Sequence, residues 1–327
     1  MRVAIAGLGG AASRGHLPAL AQLRGAARLV GAADPDEERR VAVGRQLNGA
    51  ALFESAEEML ERVEAEVLVV ASQPPSHSGL VAAGMERGLN VVCEKPLTVS
   101  RENHEVIAAA CVRRPGPALV AVHQYRYSPA WSWIRRWARL AAGLQRPYTL
   151  TVDLQRQGTD PHAASPWRAD RAQSGGMLAD AGVHFIALAW TLDPRIEPLA
   201  AARHQDEVGR ECSAMLLRMG SGLLRFQASN GAPARHTGLE LRVEGTTISW
   251  RDEKLALQWR NRTLLRRQVR ALSDRTHVDA LYAPLYRDLA ANLGDESWRM
   301  RHTAEALGVD EVLVSLLERP LLDTVAH

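Results

Sequence analysis

The sequence predicts a two-part α/β chain. Residues 1–122 read as a doubly wound parallel sheet, and residues 123–327 as an α+β domain on an antiparallel or mixed sheet. Three observations predict it. Short apolar runs alternate with helix-length stretches up to residue 122, the pattern of strands joined by helical crossovers. Beyond His123 strand-like runs follow one another across Gly-rich turns such as Gly220-Ser221-Gly222 and Gly245-Thr246. The length of 327 residues suits two domains of roughly 150 each.

The elements follow in order. Arg2–Ala6 is apolar and stops at Gly7, a first strand. Residues 16–23 read as helix. Arg28–Ala33 is the second strand, ending at Asp34-Pro35, and 36–47 is helical. Ser55-Ala56-Glu57-Glu58 has capping-box spacing ahead of a short helix. Residues 67–71 are a buried-type fourth strand, Asn90–Cys93 the fifth and 118–122 the sixth, with helices over 75–87 and 100–112; no residues are assigned to a third. In the second part, 128–141 is helical and Tyr148–Gln157 alternates as a strand. A polar loop over 158–174 leads into a helix over 176–192, stopped by Asp193-Pro194. Strand-like runs fill 199–269, and helices over 280–293 and 303–317 close the chain.

Composition excludes several function classes. Net charge is +3, with acidic residues spread among basic ones; even the densest basic piece, 260–270, is too short to track a phosphate backbone, so no nucleic acid is expected. Cys93, Cys111 and Cys212 are odd in number and far apart, against a disulfide framework or zinc site and in favour of a reducing compartment. No metal is expected. The first residues read as strand and turn rather than a secretion signal, and no apolar run spans a membrane, so a cytoplasmic protein is expected. Of the 40 basic residues only Lys95 and Lys254 are lysine, and a lysine kept in such a chain hints at a site that needs a titratable amine.

Gly7-Leu8-Gly9-Gly10-Ala11-Ala12 is a G-x-G-x-x-A pattern directly after the first strand. Gly7 allows the tight turn, Gly9 lets the backbone approach a pyrophosphate, and Ala12 lets helix and strand pack closely. Gly10 and Ala11 complete the loop, and the helix N-terminus supplies N–H groups for phosphate. Asp34 ends the second strand, where a carboxylate accepts from the adenosine ribose hydroxyls and repels a 2′-phosphate. The cofactor expected is therefore NAD. Arg39 and Arg40 keep NADP open, and Asp34-Pro35-Asp36 could instead only cap a helix.

Two further pieces carry chemistry. Lys95, in Cys93-Glu94-Lys95-Pro96, stands at the carboxyl end of the fifth strand, the edge that lines the ligand crevice of such sheets. An amine there can exchange a proton with a substrate oxygen. If Gly176 opens a helix, Asp180 and His184 lie four residues apart on one face, a carboxylate and an imidazole able to serve one hydroxyl. The plain alternative for all three is solvated surface.

Together these segments resemble the Gfo/Idh/MocA oxidoreductases, over nearly the whole chain. The matching pieces are Gly7 to Ala12 with His16-Leu17-Pro18-Ala19-Leu20, Ser72-Gln73-Pro74-Pro75-Ser76-His77, and the hallmark tripeptide Glu94-Lys95-Pro96. They continue with His123-Gln124-Tyr125-Arg126-Tyr127-Ser128-Pro129, Trp167-Arg168 and Asp180-Ala181-Gly182-Val183-His184. The resemblance implies a Rossmann domain followed by a domain with a large open, mostly antiparallel sheet. It implies hydride transfer between nicotinamide and a hydroxyl- or carbonyl-bearing carbon of a sugar, cyclitol or derivative. Lys95 would be the main acid/base, His184 a second acid/base or orienting group, and Asp180 a substrate ligand. Ser72, Pro74, His77, Glu94 and Pro96 would lie near the cofactor, and Arg126 and Arg168 would reach the cleft. A bare face of the open sheet would expose a large apolar patch, so a homodimer or homotetramer is expected.

Ala187 replaces an acidic residue common in sugar-active members and leaves room for a less hydroxylated substrate. Trp131, Trp133 and Trp137 are assigned to packing rather than to stacking on a sugar. Two alternatives share the motifs. One is an imine reductase, or a redox-assisted elimination or glycosidic cleavage that recycles NAD. The other is a nucleotide-binding regulator without turnover.

Overall fold

Two sheets carry the chain, each in its own unit. A computed structural model describes residues 1–23, 25–45, 49–157, 167, 170–205, 210–270 and 279–319. One unit joins residues 1–124 to 275–307, and the other joins 125–274 to 308–327.

The first unit holds a six-stranded parallel sheet, β1 (Arg2–Ala6), β2 (Arg28–Ala33), β3 (Ala51–Phe53), β4 (Val67–Val70), β5 (Asn90–Cys93) and β6 (Leu119–Ala121), in the order β3-β2-β1-β4-β5-β6. Val67 to Val70 are all fully buried, as expected where helices cover both faces of a parallel sheet. The order reverses between β1 and β4, which sets a ligand crevice at the carboxyl ends of these strands. β3, given no residues by the sequence reading, is a three-residue edge strand, too short for its alternation to be read.

A π-helical turn, Ala12–His16, leads from the glycine loop into α1 (Leu17–Ala21). Asp36 caps α2 (Glu37–Gly44), and residues 46–48, the expected end of this helix, lie outside the described residues. Ser55 caps α3 (Ala56–Arg62) by accepting the Glu58 N–H, as its spacing predicts. Pro74 and Pro75 open α4 (Pro74–Glu86), and Ser100 caps α5 (Arg101–Arg113).

The second unit holds α6 (Pro129–Gly143), β7 (Tyr148–Gln157), the short α7 (Arg171–Ser174), and a π-helical turn, Leu178–Gly182, running into α8 (Val183–Trp190). Then come β8 (Ile196–Gln205), β9 (Glu211–Met219), β10 (Gly222–Ala232), β11 (His236–Val243), β12 (Thr246–Arg251), β13 (Lys254–Trp259) and β14 (Arg262–Gln268). The sheet order is β14-β13-β12-β11-β7-β10-β9-β8, antiparallel except for β7 against β10. Tyr148, Leu150, Val152 and Leu154 alternate into the core, where α6 contributes Trp131, Ile134 and Ala138. Trp133 and Trp137 are half-buried, in keeping with packing.

The other face of this sheet is mixed. It presents Thr149, Thr151, Arg225 and Gln227 with Ala202, Ala214, Leu216 and Leu223. Among the described residues, the well-exposed large apolar side chains on the sheet are Trp259 and Leu264, both at its β13–β14 edge.

The two compact units do not divide the chain at a single point. The switch falls at Gln124/Tyr125, but α9 (Asp279–Asn292) and α10 (Glu296–Leu317) as far as Leu307 return to the first unit. There α9 packs on α1 through Tyr282, Leu285, Tyr286 and Leu289, and Thr303 Oγ1 accepts the Leu119 N–H. An apolar helix face carries no mark of which sheet it will cover, so sequence order misassigns it. No helix among the described residues is long and apolar enough to cross a membrane, and none of their His, Cys, Asp and Glu side chains form a metal-binding group of three.

Candidate active site

The carboxyl ends of β1, β2, β4 and β5 gather the expected residues of the first unit. Gly7 leaves β1 at φ +95°, and a Cβ there would stand 2.6 Å from Ala71 C and Ser72 N, so only glycine lets β1 and β4 exit side by side. At Gly9 a Cβ would meet nothing within 4 Å, which leaves the loop open above its backbone. Ala12 is fully buried, as close helix–strand packing requires. Asp34 is buried and braces this loop. Its Oδ2 accepts the Leu8 N–H at 2.7 Å and its Oδ1 the Asp36 N–H at 2.9 Å. Arg39 approaches the same carboxylate at 3.7 Å, while Arg40 donates to the Asp34 and Pro35 carbonyls.

The loop after β4 is tied down by Ser72, whose hydroxyl meets that of Ser76 at 2.7 Å, and by His77. His77 is fully buried, with Nδ1 3.0 Å from the Pro96 carbonyl and Nε2 3.2 Å from the Ser72 carbonyl. Burial pushes this imidazole below its usual range, which favours the neutral ring. His77, expected beside the cofactor, is thus a buried brace between these loops. Pro74 and Pro96 are buried too.

Lys95 is half-exposed while every other residue from Val91 to Thr98 is buried. Glu94 beneath it is buried, and its Oε2 accepts the Lys95 backbone N–H at 3.2 Å. Its Oε1 accepts from His16 Nε2 at 3.0 Å and from the Tyr282 hydroxyl at 2.6 Å. Burial pushes the Glu94 carboxyl up, but the hydrogen bonds from His16 and Tyr282 and the His16 and Lys95 charges outweigh it and hold the group below its ordinary range.

In the second unit the expected Asp180–His184 helix begins with the π-helical turn, where bonds close i→i+5 rather than i→i+4. Two contacts on it involve the expected residues. Arg156 Nη1 donates to Asp180 Oδ2 at 2.6 Å, and the buried His184 ring stacks on Tyr125 at 4.0 Å and 12°. Glu211 Oε1 accepts the Met177 N–H at 2.8 Å and so anchors the start of this helix. Arg126 is half-buried, its guanidinium 6.0 Å from the Tyr127 ring. Arg168 lies outside the described residues.

Arg156, Tyr125, His16, Tyr282 and Tyr286 carry no role in the sequence reading. Arg156 left a signal, since it is a charged residue at the core-facing parity of β7. Tyr282 and Tyr286 left none, because their partners stand more than a hundred residues away.

Residues 1–121 match the model of an oxidoreductase family with an NAD-binding Rossmann fold, and residues 143–251 match the Gfo/Idh/MocA C-terminal domain. The chain belongs to the Gfo/Idh/MocA oxidoreductase family. Its first unit carries the NAD-binding Rossmann domain of that family. D-apiose dehydrogenase of Paraburkholderia graminis is 28% identical over 64% of this chain, and inositol 2-dehydrogenase 4 of Saccharopolyspora erythraea 27% over 58%. The chain spans 56% and 53% of the length of these two relatives. A solved oxidoreductase from Thermotoga maritima shares the fold with a TM-score of 0.79 at 18% identity, over 97% of this chain and 96% of that one. The WlbA dehydrogenase of Thermus thermophilus, solved with NAD and UDP-GlcNAcA, does so at 0.70 and 22%, over 98% and 96%.

The first unit fits the dinucleotide on its own geometry. The glycine loop is open at Gly9, a helix follows it, and the Asp34 carboxylate ends β2.

Proposed function

We propose that this chain is an NAD-dependent dehydrogenase acting on a hydroxyl- or carbonyl-bearing carbon of a sugar, cyclitol or derivative, with Lys95 as the proton carrier. The observation that carries the reading is the exposure of Lys95 alone within the buried Val91–Thr98 segment at the crevice edge. The names of the relatives, a D-apiose and an inositol dehydrogenase, support the substrate class.

The bound nicotinamide would accept hydride from an alcohol carbon or return it to a carbonyl. Gly7, Gly9, Gly10, Ala11 and Ala12 would cradle the pyrophosphate, and Asp34 would accept from the ribose hydroxyls. In the oxidative direction Lys95 Nζ takes the hydroxyl proton as the C–H pair leaves with hydride, and in reduction it gives that proton to the forming alkoxide. Asp180, aimed by Arg156, accepts a substrate hydroxyl. His184, held against Tyr125, orients the substrate or serves as a second acid/base, and Arg126 is a further substrate contact. NAD is preferred to NADP, because Arg39 leans on Asp34 and Arg40 is committed to backbone carbonyls.

The test is growth of NADH absorbance with NAD and a panel of sugars, cyclitols and sugar acids. Turnover that is lost in Lys95→Met while NADH still binds supports the reading. NADH binding without any chemistry would favour a regulator, and product without net nicotinamide change a recycling cofactor. We also infer that copies of the chain associate through the open sheet face, where a hollow of about 490 Å³ lies among Thr151, Ala202, Leu216 and Arg225. A light-scattering mass near 35.8 kDa at micromolar concentration would refute that.

A further inference from the structure

We propose that His16, Tyr282 and Tyr286 are positioning residues for Lys95, acting through the Glu94 carboxylate. The inference rests on the reading of Lys95 as the proton carrier.

Three distant pieces of chain meet at this one side chain. His16 ends the π-helical turn that follows the glycine loop. Tyr282 and Tyr286 stand one turn apart on α9, the helix that returns to the first unit from near the end of the chain. The Tyr286 hydroxyl meets His16 Nδ1 at 2.5 Å, and His16 Nε2 and the Tyr282 hydroxyl both reach Glu94 Oε1. The carboxylate can only accept, so Nε2 carries a proton, and the hydroxyl of Tyr286 suits Nδ1 as donor or acceptor. Both tyrosine rings meet the His16 ring edge-on, at 4.9 and 5.8 Å. Tyr282 fits because Gly15 has no side chain; a Cβ there would stand 2.9 Å from its ring.

A buried carboxylate is costly unless its lone pairs are filled, and an apolar residue would pack the same space without that cost. Here all the donors converge on the residue beside Lys95, and the opposite oxygen, Oε2, holds the Lys95 N–H. The cluster therefore fixes the backbone from which the Lys95 amine projects. It also ties that backbone to the helix that follows the phosphate-binding loop.

The chain has two lysines, so protein labelled with [15N]lysine gives two backbone amide signals, and Lys254→Arg assigns them. Tyr282→Phe and Tyr286→Phe remove only hydroxyls. In Tyr282→Phe the Lys95 signal should move and exchange faster with solvent while the Lys254 signal stays; Tyr286→Phe should give a smaller displacement. The kcat of turnover should fall about tenfold in Tyr282→Phe, the equivalent of one hydrogen bond to a charged group, with NADH affinity, read by its fluorescence, retained. It should fall no further in Tyr282→Phe combined with Glu94→Gln than in Glu94→Gln alone, because the hydroxyl acts only through the carboxylate. An unmoved Lys95 signal in both variants, joint movement of both lysine signals, or additive losses of kcat would each overturn the proposal. If the unaltered protein does not bind NADH, the proposed function fails, and the amide signals still decide whether the tyrosines position Lys95.

Discussion

Gly7 and Gly9 stand two residues apart in one loop, yet alanine should do opposite things at them. At Gly7 the new Cβ would lie 2.6 Å from Ala71 C and Ser72 N and 2.7 Å from Ala71 O. Ordinary contact begins near 3.4 Å, so β1 and β4 would have to part by 3.4 − 2.6 = 0.8 Å. They are held at that point by the Ala71 N–H bond to the Ala6 carbonyl at 2.8 Å. The backbone at φ +95° adds strain of about 1–3 kcal/mol, and the overpacking adds about 1–3 kcal/mol more. Gly7→Ala should therefore lose about 2–6 kcal/mol in urea denaturation, a large share of a domain's stability. Gly9→Ala meets no atom within 4 Å and needs no left-handed backbone, so it should gain about 0.4–1 kcal/mol by restricting the unfolded chain. Its methyl group would instead enter the space read as the pyrophosphate approach, and NADH affinity should fall at least about tenfold. The two variants are compared by denaturation and by NADH titration. A Gly7→Ala protein as stable as the parent, or a Gly9→Ala protein that binds NADH as well as the parent, would refute this account of the loop.

Four further outcomes follow from the same geometry. Lys95→Arg keeps the charge but cannot give up its proton at neutral pH, so kcat should fall by about 10²–10⁴-fold with NADH affinity retained, as steady-state rates beside binding titrations would show. Asp34→Asn loses the negative charge and should narrow the preference for NAD over NADP, measured as a ratio of affinities; an unchanged ratio would remove Asp34 from cofactor choice. The Glu94 carboxyl is held below its unfolded value, so its contribution to stability is complete above that value and is lost as pH falls through the depressed one. Denaturation followed from neutral to acid pH should accordingly show a smaller acid loss in Glu94→Gln than in the parent. Arg156→Gln strips the 2.6 Å partner from Asp180 and should raise KM for substrate several-fold with NADH affinity intact, which kinetics on any turned-over polyol would reveal.

The Rossmann half was legible because its signals are local. Strand runs such as Val67 to Val70 are apolar throughout, Ser55 caps its helix three residues before Glu58, and Gly7 marks the one turn a side chain would block. The place of Lys95 just past the end of β5 was legible for the same reason, since Asn90 to Cys93 reads as a strand on its own. What the sequence could not carry is whatever depends on meeting a partner far along the chain. The three-residue β3 is stabilised by β2 and not by its own pattern. The apolar face of α9 looks the same whichever sheet it covers, and only folding sent it back to the first unit. The spacing of Asp180 and His184 shows them on one helix, but their contacts with Arg156 and Tyr125 are choices that only tertiary packing makes. Alternation and capping are written within about ten residues, whereas the choice of partner for a buried charge is made by tertiary packing: Glu94 finds its donors 78 residues before it and 188 after it.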